Sequence, residues 1–296
     1  MWRYFERRGD IPRLIADVLH HKVSSSEASE LAARHTAMPD DELHQTELEA
    51  EATFARFPKE VQDRIRAEGD AIGQRVIDHL NQVLIGVPGG IAPPEEANHA
   101  SGVVVLIGSR PVFFTAQHVI AKYRERRASD PRVVFQIGNV SFDPEPRILF
   151  ESARDDIVAM ALNISDQSRV PGHTWIPASW PPVAPNPGEF VAFAGFPVDY
   201  RVNEDTGIVD LAAIGGIMKV ASTTGTSIRC VMERERLIKT RGPHVPPPGT
   251  RLWGMSGGPV FRMVDGKLDL TAIVTDFGEN FEIFMMTLLG AAELSP

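Results

Sequence analysis

The sequence predicts a mainly β protein, with two β units behind a helical N-terminal region. Three observations carry that prediction. Short β-branched and aromatic runs recur from Gly102 onward, each bounded by turn residues. A proline cluster, Trp180-Pro181-Pro182-Val183-Ala184-Pro185-Asn186-Pro187-Gly188, divides the series in two. Before about residue 86 the apolar residues follow helical spacing instead.

The helical region comes first. Ile11, Leu14, Ile15, Val18 and Leu19 share one helix face. Ser24-Ser25-Ser26-Glu27 fits a capping box for a second helix, with Leu31 and Ala32 on its apolar side. Pro39-Asp40 opens a third, aligning Leu43, Ala50, Phe54 and Phe57. Pro58 opens a fourth, with Val61, Ile65, Ile72, Val76, Leu80 and Val83 on one side, and Gly69 and Gly73 weakening its middle. Gly86 to Pro94 reads as a linker.

The pattern then changes. Gly102 to Gly108 is β-branched and ends in a turn at Gly108-Ser109-Arg110-Pro111, with Val112-Phe113-Phe114 as its partner strand. Val133 to Ile137 and Ile148 to Phe150 follow, and after the proline cluster come Phe190 to Ala194, Ile214, Ile217 to Val220, Ile228 to Met232, Val260-Phe261, Leu268 to Val274 and Phe281 to Met286. Short strands at this spacing predict barrels or sandwiches, divided at about 98–182 and 188–290. The expected organisation is a helical region over 1–90, with a regulatory or partner-binding role, and a catalytic domain over 95–292.

Composition narrows the function classes. The chain has 296 residues, enough for a large core, and a formal net charge of −9, which argues against nucleic-acid binding. No apolar run reaches membrane-span length, and the basic start Met1 to Arg8 leads into no apolar signal segment. Cys230 is the single cysteine, so no internal disulfide can form, and a cytoplasmic setting is expected. Cys230 lies in a strand and reads as a buried structural thiol. The acidic segment Asp40 to Glu49 has no metal-site spacing and reads as a solvated helix face, and no metal or cofactor is expected.

Three motifs carry chemistry. Gly254-Met255-Ser256-Gly257-Gly258-Pro259 makes little sense as core packing, but makes sense as a turn that displays one hydroxyl. A serine nucleophile needs a histidine base and a carboxylate to orient it. Thr115-Ala116-Gln117-His118-Val119 follows an apolar strand and places His118 where it can face a cleft. Asp155-Asp156-Ile157-Val158-Ala159-Met160-Ala161-Leu162 supplies the carboxylate. Asp156, immediately before Ile157, is the better candidate and Asp155 its solvated neighbour. His118 would take the proton of Ser256 Oγ, Asp156 would hold His118 Nδ1, and the Gly254 and Ser256 N–H groups would receive the oxyanion. His20, His21, His35 and His44 lack any such setting, and His244 sits in the proline-rich loop Arg241 to Gly249.

On these residues the chain resembles the chymotrypsin/trypsin-like serine peptidases. Their Thr-Ala-x-His motif corresponds to Thr115 to His118, their Asp-Ile motif to Asp156 to Leu162, and their Gly-x-Ser-Gly-Gly-Pro motif to Gly254 to Pro259. The order His, Asp, Ser fits that family, with separations of 38 and 100 residues. Ala194-Gly195-Phe196-Pro197 also resembles a strand-end motif of bacterial members. The resemblance implies a chymotrypsin-like fold of two antiparallel six-stranded β-barrels over about 98–290, with His118 and Asp156 on one and Ser256 on the other. It implies a serine endopeptidase acting on protein or peptide substrates through an acyl-enzyme.

The chain also departs from the family. Met255 stands where many secreted members have an aspartate that pairs with a newly cut N-terminus. This suggests an intracellular bacterial-type member assembled without that switch. By the resemblance, the floor of the substrate pocket lies near Thr250, and Thr275, Asp276 and Phe277 form its wall, where Asp276 would either attract a basic side chain or point to solvent. Two other readings stay open: a catalytically silent binding module that keeps the fold, and an acyl hydrolase acting on non-peptide esters.

Overall fold

The computed structural model describes residues 58–87, 98–203, 209–232, 238–239, 251–264, 267–278 and 283–295. The helices expected before Pro58 lie outside these residues. The fourth is present as α1, Lys59–Ile77, entered directly from Pro58, where the missing N–H has no helical partner to lose. The chain then turns into β1, Leu80–Gly86. The expectation of helix up to residue 86 is therefore corrected, and β structure starts at Leu80 rather than near residue 98. Val76, Leu80 and Val83 satisfy helical spacing, but Val83 and Ile85 alternate into a β core over too short a stretch to betray the change of period.

The first sheet adds β2 (His99–Ile107), β3 (Arg110–Thr115), β4 (Val134–Ile137), β5 (Val140–Phe142), β6 (Ile148–Ser152) and β7 (Ile157–Ala161). Its order is β5-β4-β1-β2-β3-β7-β6, antiparallel throughout. Between β3 and β4 runs α2, Gln117–Ser129, which the sequence reading missed. It buries only the narrow stripe Val119, Ile120 and Tyr123 among charged neighbours.

The second sheet comprises β8 (Phe190–Gly195), β11 (Ile214–Thr223), β12 (Ser227–Val231), β13 (Ile238–Lys239), β14 (Pro259–Val264), β15 (Lys267–Gly278) and β16 (Ile283–Leu288), while β9 (Arg201–Asn203) and β10 (Val209–Leu211) form a separate ribbon. The order is β12-β16-β15-β14-β8-β11-β13, and β12 also pairs with β11. That last pairing closes six strands into a barrel, with β13 added beside β11. The first unit is instead a seven-stranded sheet whose outer strands, β5 and β6, are not paired with each other among the described residues. The expectation of two six-stranded barrels is met by the second unit and modified by the first.

The two units share a core. Val103 and Val105 of β2 and Phe114 of β3 pack with Ala192 and Ala194 of β8 and Phe261 of β14. The alternate residues turn the other way, Val104 and Phe113 into the first sheet's own core and Val191 and Phe193 into the barrel. Strands buried on both faces read as unbroken apolar runs, as Val103-Val104-Val105 does. α1 lies on β8, β11 and β14. Gly73, a weak point by propensity, is buried there, and its carbonyl oxygen would lie 3.5 Å from a Cβ placed on Gly215 of β11. No helix among the described residues is long and apolar enough to cross a membrane.

One ion pair anchors the barrel. Arg262 of β14 donates from Nε and Nη2 to the two carboxylate oxygens of Glu189, each at 2.8 Å, and both side chains are nearly buried. Burial alone would raise the Glu189 carboxyl, but Arg262 and the Asn186 N–H outweigh it and hold it below its usual range. The pair therefore stabilises the fold fully above the unfolded carboxyl pKa of about 4.3 and ceases to do so as pH falls through the lower folded value. Arg262→Ala should destabilise the protein by ~3–5 kcal/mol in urea unfolding at neutral pH, because it strands a buried carboxylate.

Candidate active site

The β6–β7 hairpin delivers the carboxylate. In its turn Ser152 Oγ donates to Asp155 Oδ2 at 2.8 Å and accepts from Asp155 N–H at 3.1 Å, so Asp155 is engaged locally. Asp156 has φ +52°, a left-handed conformation that aspartate tolerates better than most residues. Its Oδ1 accepts the His118 N–H at 2.9 Å and its Oδ2 lies 2.8 Å from His118 Nδ1. The first contact also caps α2, since Ala116 at the N-cap has no side-chain acceptor to offer. With the Nδ1 proton donated to Asp156, His118 Nε2 is left as an acceptor. The His118 side chain is 53% exposed and that of Asp156 28%.

The turn that carries Ser256 is built by close backbone contact. Gly254 and Gly257 have φ of +92° and +89°. A Cβ on Gly254 would meet His99 and the Phe196 carbonyl, and one on Gly257 would meet the Ser101 carbonyl. Ser101, buried in β2, ties the turn to the first sheet. Its Oγ donates to Gly254 O at 2.8 Å and accepts from Phe196 N–H at 3.0 Å, and its N–H donates to Ser256 O at 2.9 Å. Its own carbonyl accepts the Thr115 hydroxyl at 2.8 Å. Met255 is 1% exposed and packs in the barrel core with Phe193 and Leu252. An apolar anchor thus occupies the position that the resemblance associates with an ion pair.

The amides of this turn divide into two sets. Met255 N–H donates to Leu252 O, Gly257 N–H to Val274 O and Gly258 N–H to Met255 O. The Gly254 and Ser256 N–H groups have no acceptor among the described residues.

His118, Asp156, Gly254, Ser256, Thr275 and Asp276 all line one cleft of about 650 Å³ between the two units. Ser256 Oγ donates to Thr275 O at 3.4 Å, a weak bond, and no hydrogen bond joins it to His118 in this state. Asp276 is exposed, with Oδ1 accepting the Phe277 N–H at 2.8 Å. Phe277 packs on Phe284 at 4.7 Å between ring centroids. Thr250 and His244 lie outside the described residues. Cys230 is buried, and desolvation pushes its thiol pKa up. No cluster of three His, Cys, Asp or Glu side chains among the described residues is arranged to hold a metal ion.

Sequence reasoning missed Ser101 and Trp253. A serine inside the apolar run Ala100 to Ile107 was the available signal for the first. Trp253, 60% exposed beside Gly254, sits near the guanidinium of Arg251, which pairs with Asp199 at 2.8 Å.

No protein-family model matches the chain, and no characterised protein matches it in sequence. Solved structures share similarity of shape. The serine protease AL20 from an extremophilic microorganism is 13% identical, with 72% of this chain and 92% of that chain covered and a TM-score of 0.40. Tobacco vein mottling virus protease is 10% identical, covering 70% and 76%, with a TM-score of 0.37. A chain from a structure on the folding and binding of the Sesbania mosaic virus VPg protein is 12% identical, covering 71% and 85%, with a TM-score of 0.38.

Ser101→Ala leaves Gly254 O and Phe196 N–H without their buried partner. It should lower stability by about 1–3 kcal/mol in urea unfolding.

Proposed function

We propose that this protein is a serine endopeptidase working through Ser256, His118 and Asp156. The observation that carries the reading is one cleft lined by all three, with the His118–Asp156 bond formed and the Gly254 and Ser256 amides without an acceptor among the described residues. The layout, with His118 and Asp156 on the first unit and Ser256 on the barrel, is the one the resemblance implies.

The chemistry follows from these groups. The reaction requires Ser256 Oγ to leave the Thr275 carbonyl for His118 Nε2. As Oγ attacks the peptide carbonyl carbon, Nε2 takes its proton and Asp156 stabilises the resulting imidazolium. The carbonyl oxygen becomes an oxyanion and accepts from the Gly254 and Ser256 N–H groups, donors worth ~2.7–4 kcal/mol each in a transition state. Collapse breaks the C–N bond, and His118 returns the proton to the leaving amine. Water then attacks the acyl-enzyme, His118 takes its proton, and the acid product leaves with Ser256 Oγ re-protonated.

The proposed partner is a protein or peptide substrate, in the cytoplasmic setting expected from the lone cysteine. Residues before Pro58 are proposed to regulate the domain or bind a partner. The missing Ser256–His118 hydrogen bond is also what a silent binding module would show, and the same experiment separates the two. A fluorophosphonate probe should label the wild-type protein, and Ser256→Ala should abolish labelling. A wild-type protein that stays unlabelled while fully folded would reject the peptidase reading. Gly254→Ala, which crowds His99 and strains a left-handed residue, should slow peptide turnover by about 10²–10³-fold by displacing an oxyanion donor.

A further inference from the structure

α2 carries His118 in its first turn, and the β6–β7 hairpin grips that helix at two places. The first is Asp156 on the His118 N–H and ring. The second lies on the face of α2 defined by Gln117 and Arg124, which are seven residues apart and so share one side of the helix. Gln117 Nε2 donates to Glu151 Oε1 of β6 at 2.8 Å. Arg124 donates from Nη1 and Nη2 to the two oxygens of the same carboxylate, at 2.6 and 2.9 Å. Its Nε and Nη2 also reach Glu145, ahead of β6, at 2.7 and 3.1 Å.

One guanidinium thus holds two carboxylates, with bidentate geometry on each. Arg124 holds the Glu151 carboxyl below its usual range, against the opposing effect of burial and with help from Gln117.

The body of α2 is held by its buried stripe, Val119, Ile120 and Tyr123, and by Arg126 and Arg127, which donate to the Ile85 and Val133 carbonyls, while Asp156 holds the first turn at His118. Glu151, on the register pair of Val158 in β7, adds a second attachment along the helix. With the body of α2 packed on the first sheet, the two hairpin attachments hold its first turn and so the direction of the His118 Cα–Cβ bond. We propose that Glu151, clamped by Arg124 and joined to Gln117, is a positioning residue that sets the His118 ring for proton transfer in the cleft. The catalytic consequence rests on the peptidase reading above. The geometric one does not.

The test uses the full chain as wild type, Glu151→Ala, Glu151→Gln and Arg124→Met. Each is followed by thermal unfolding, by the ring signals of His118 in ¹⁵N-labelled protein, and by the rate of fluorophosphonate labelling. The wild type should show a downfield Nδ1 proton from the bond to Asp156. In Glu151→Ala and Arg124→Met that signal should broaden or shift upfield while unfolding stays cooperative. Labelling should slow by on the order of 10- to 100-fold, as expected when a catalytic group is displaced by about 1 Å. Peptide turnover should lose kcat with little change in KM. Glu151→Gln keeps two of the hydrogen bonds and should recover part of the loss. Arg124→Met leaves β6 intact, so it reports on the clamp if Glu151→Ala folds poorly. A His118 ring signal identical to wild type in folded Glu151→Ala or Arg124→Met would overturn the proposal. A wild type that shows the ring signal but takes no label would reject the peptidase reading alone.

Discussion

The site depends on Ser101. One buried serine in β2 binds the carbonyl oxygens of both Gly254 and Ser256, through its hydroxyl and its N–H. Those bonds attach a turn of the barrel to a strand of the first sheet. Asp156 and His118 belong to that first sheet and its helix, so this junction sets the place of Ser256 relative to them. The hydroxyl is also the acceptor for Phe196 N–H, so the seam is hydrogen-bonded on both sides of Gly254. Main-chain groups approach so closely at this junction that it tolerates few side chains, which accounts for the glycines on either side of Ser256.

Packing supports the seam. Each central strand buries both faces, one toward its own unit and one toward the other. The units are therefore joined by a continuous apolar layer and cannot slide past each other at low cost. Met255 extends the same logic into the turn. Its side chain enters the barrel core beside Leu252, so the neighbour of Ser256 is fixed by burial and needs no charged partner.

Much of this was legible in the sequence. His118, Asp156 and Ser256 stood in motifs whose residue types make poor core packing, and the hairpin at Gly108 was announced by its turn residues. The distinction between Asp155 and Asp156 was also readable, because only Asp156 abuts the apolar strand. What was not legible has physical causes. α2 begins at Gln117 without a capping side chain, because Asp156 supplies its cap from a distant hairpin. β1 satisfies a helical period as well as a strand's. Barrel closure rests on one pairing, β12 with β11, that no local pattern specifies. Ser101, Glu151 and Arg124 are ordinary residues until the fold brings their partners together.

β1 gives the early part of the domain a status that its position in the chain conceals. It lies between β2 and β4, bonded on both edges, while the helix that leads into it rests on the barrel. The segment from Lys59 to Gly86 is a stitch through both halves, not a stalk in front of them. Removing it would open the inner edges of β2 and β4 at once, and open edges invite pairing with other molecules. A chain begun after this segment would lack an inner strand of the first sheet and the helix that rests on the barrel, so α1 and β1 belong to the folded unit.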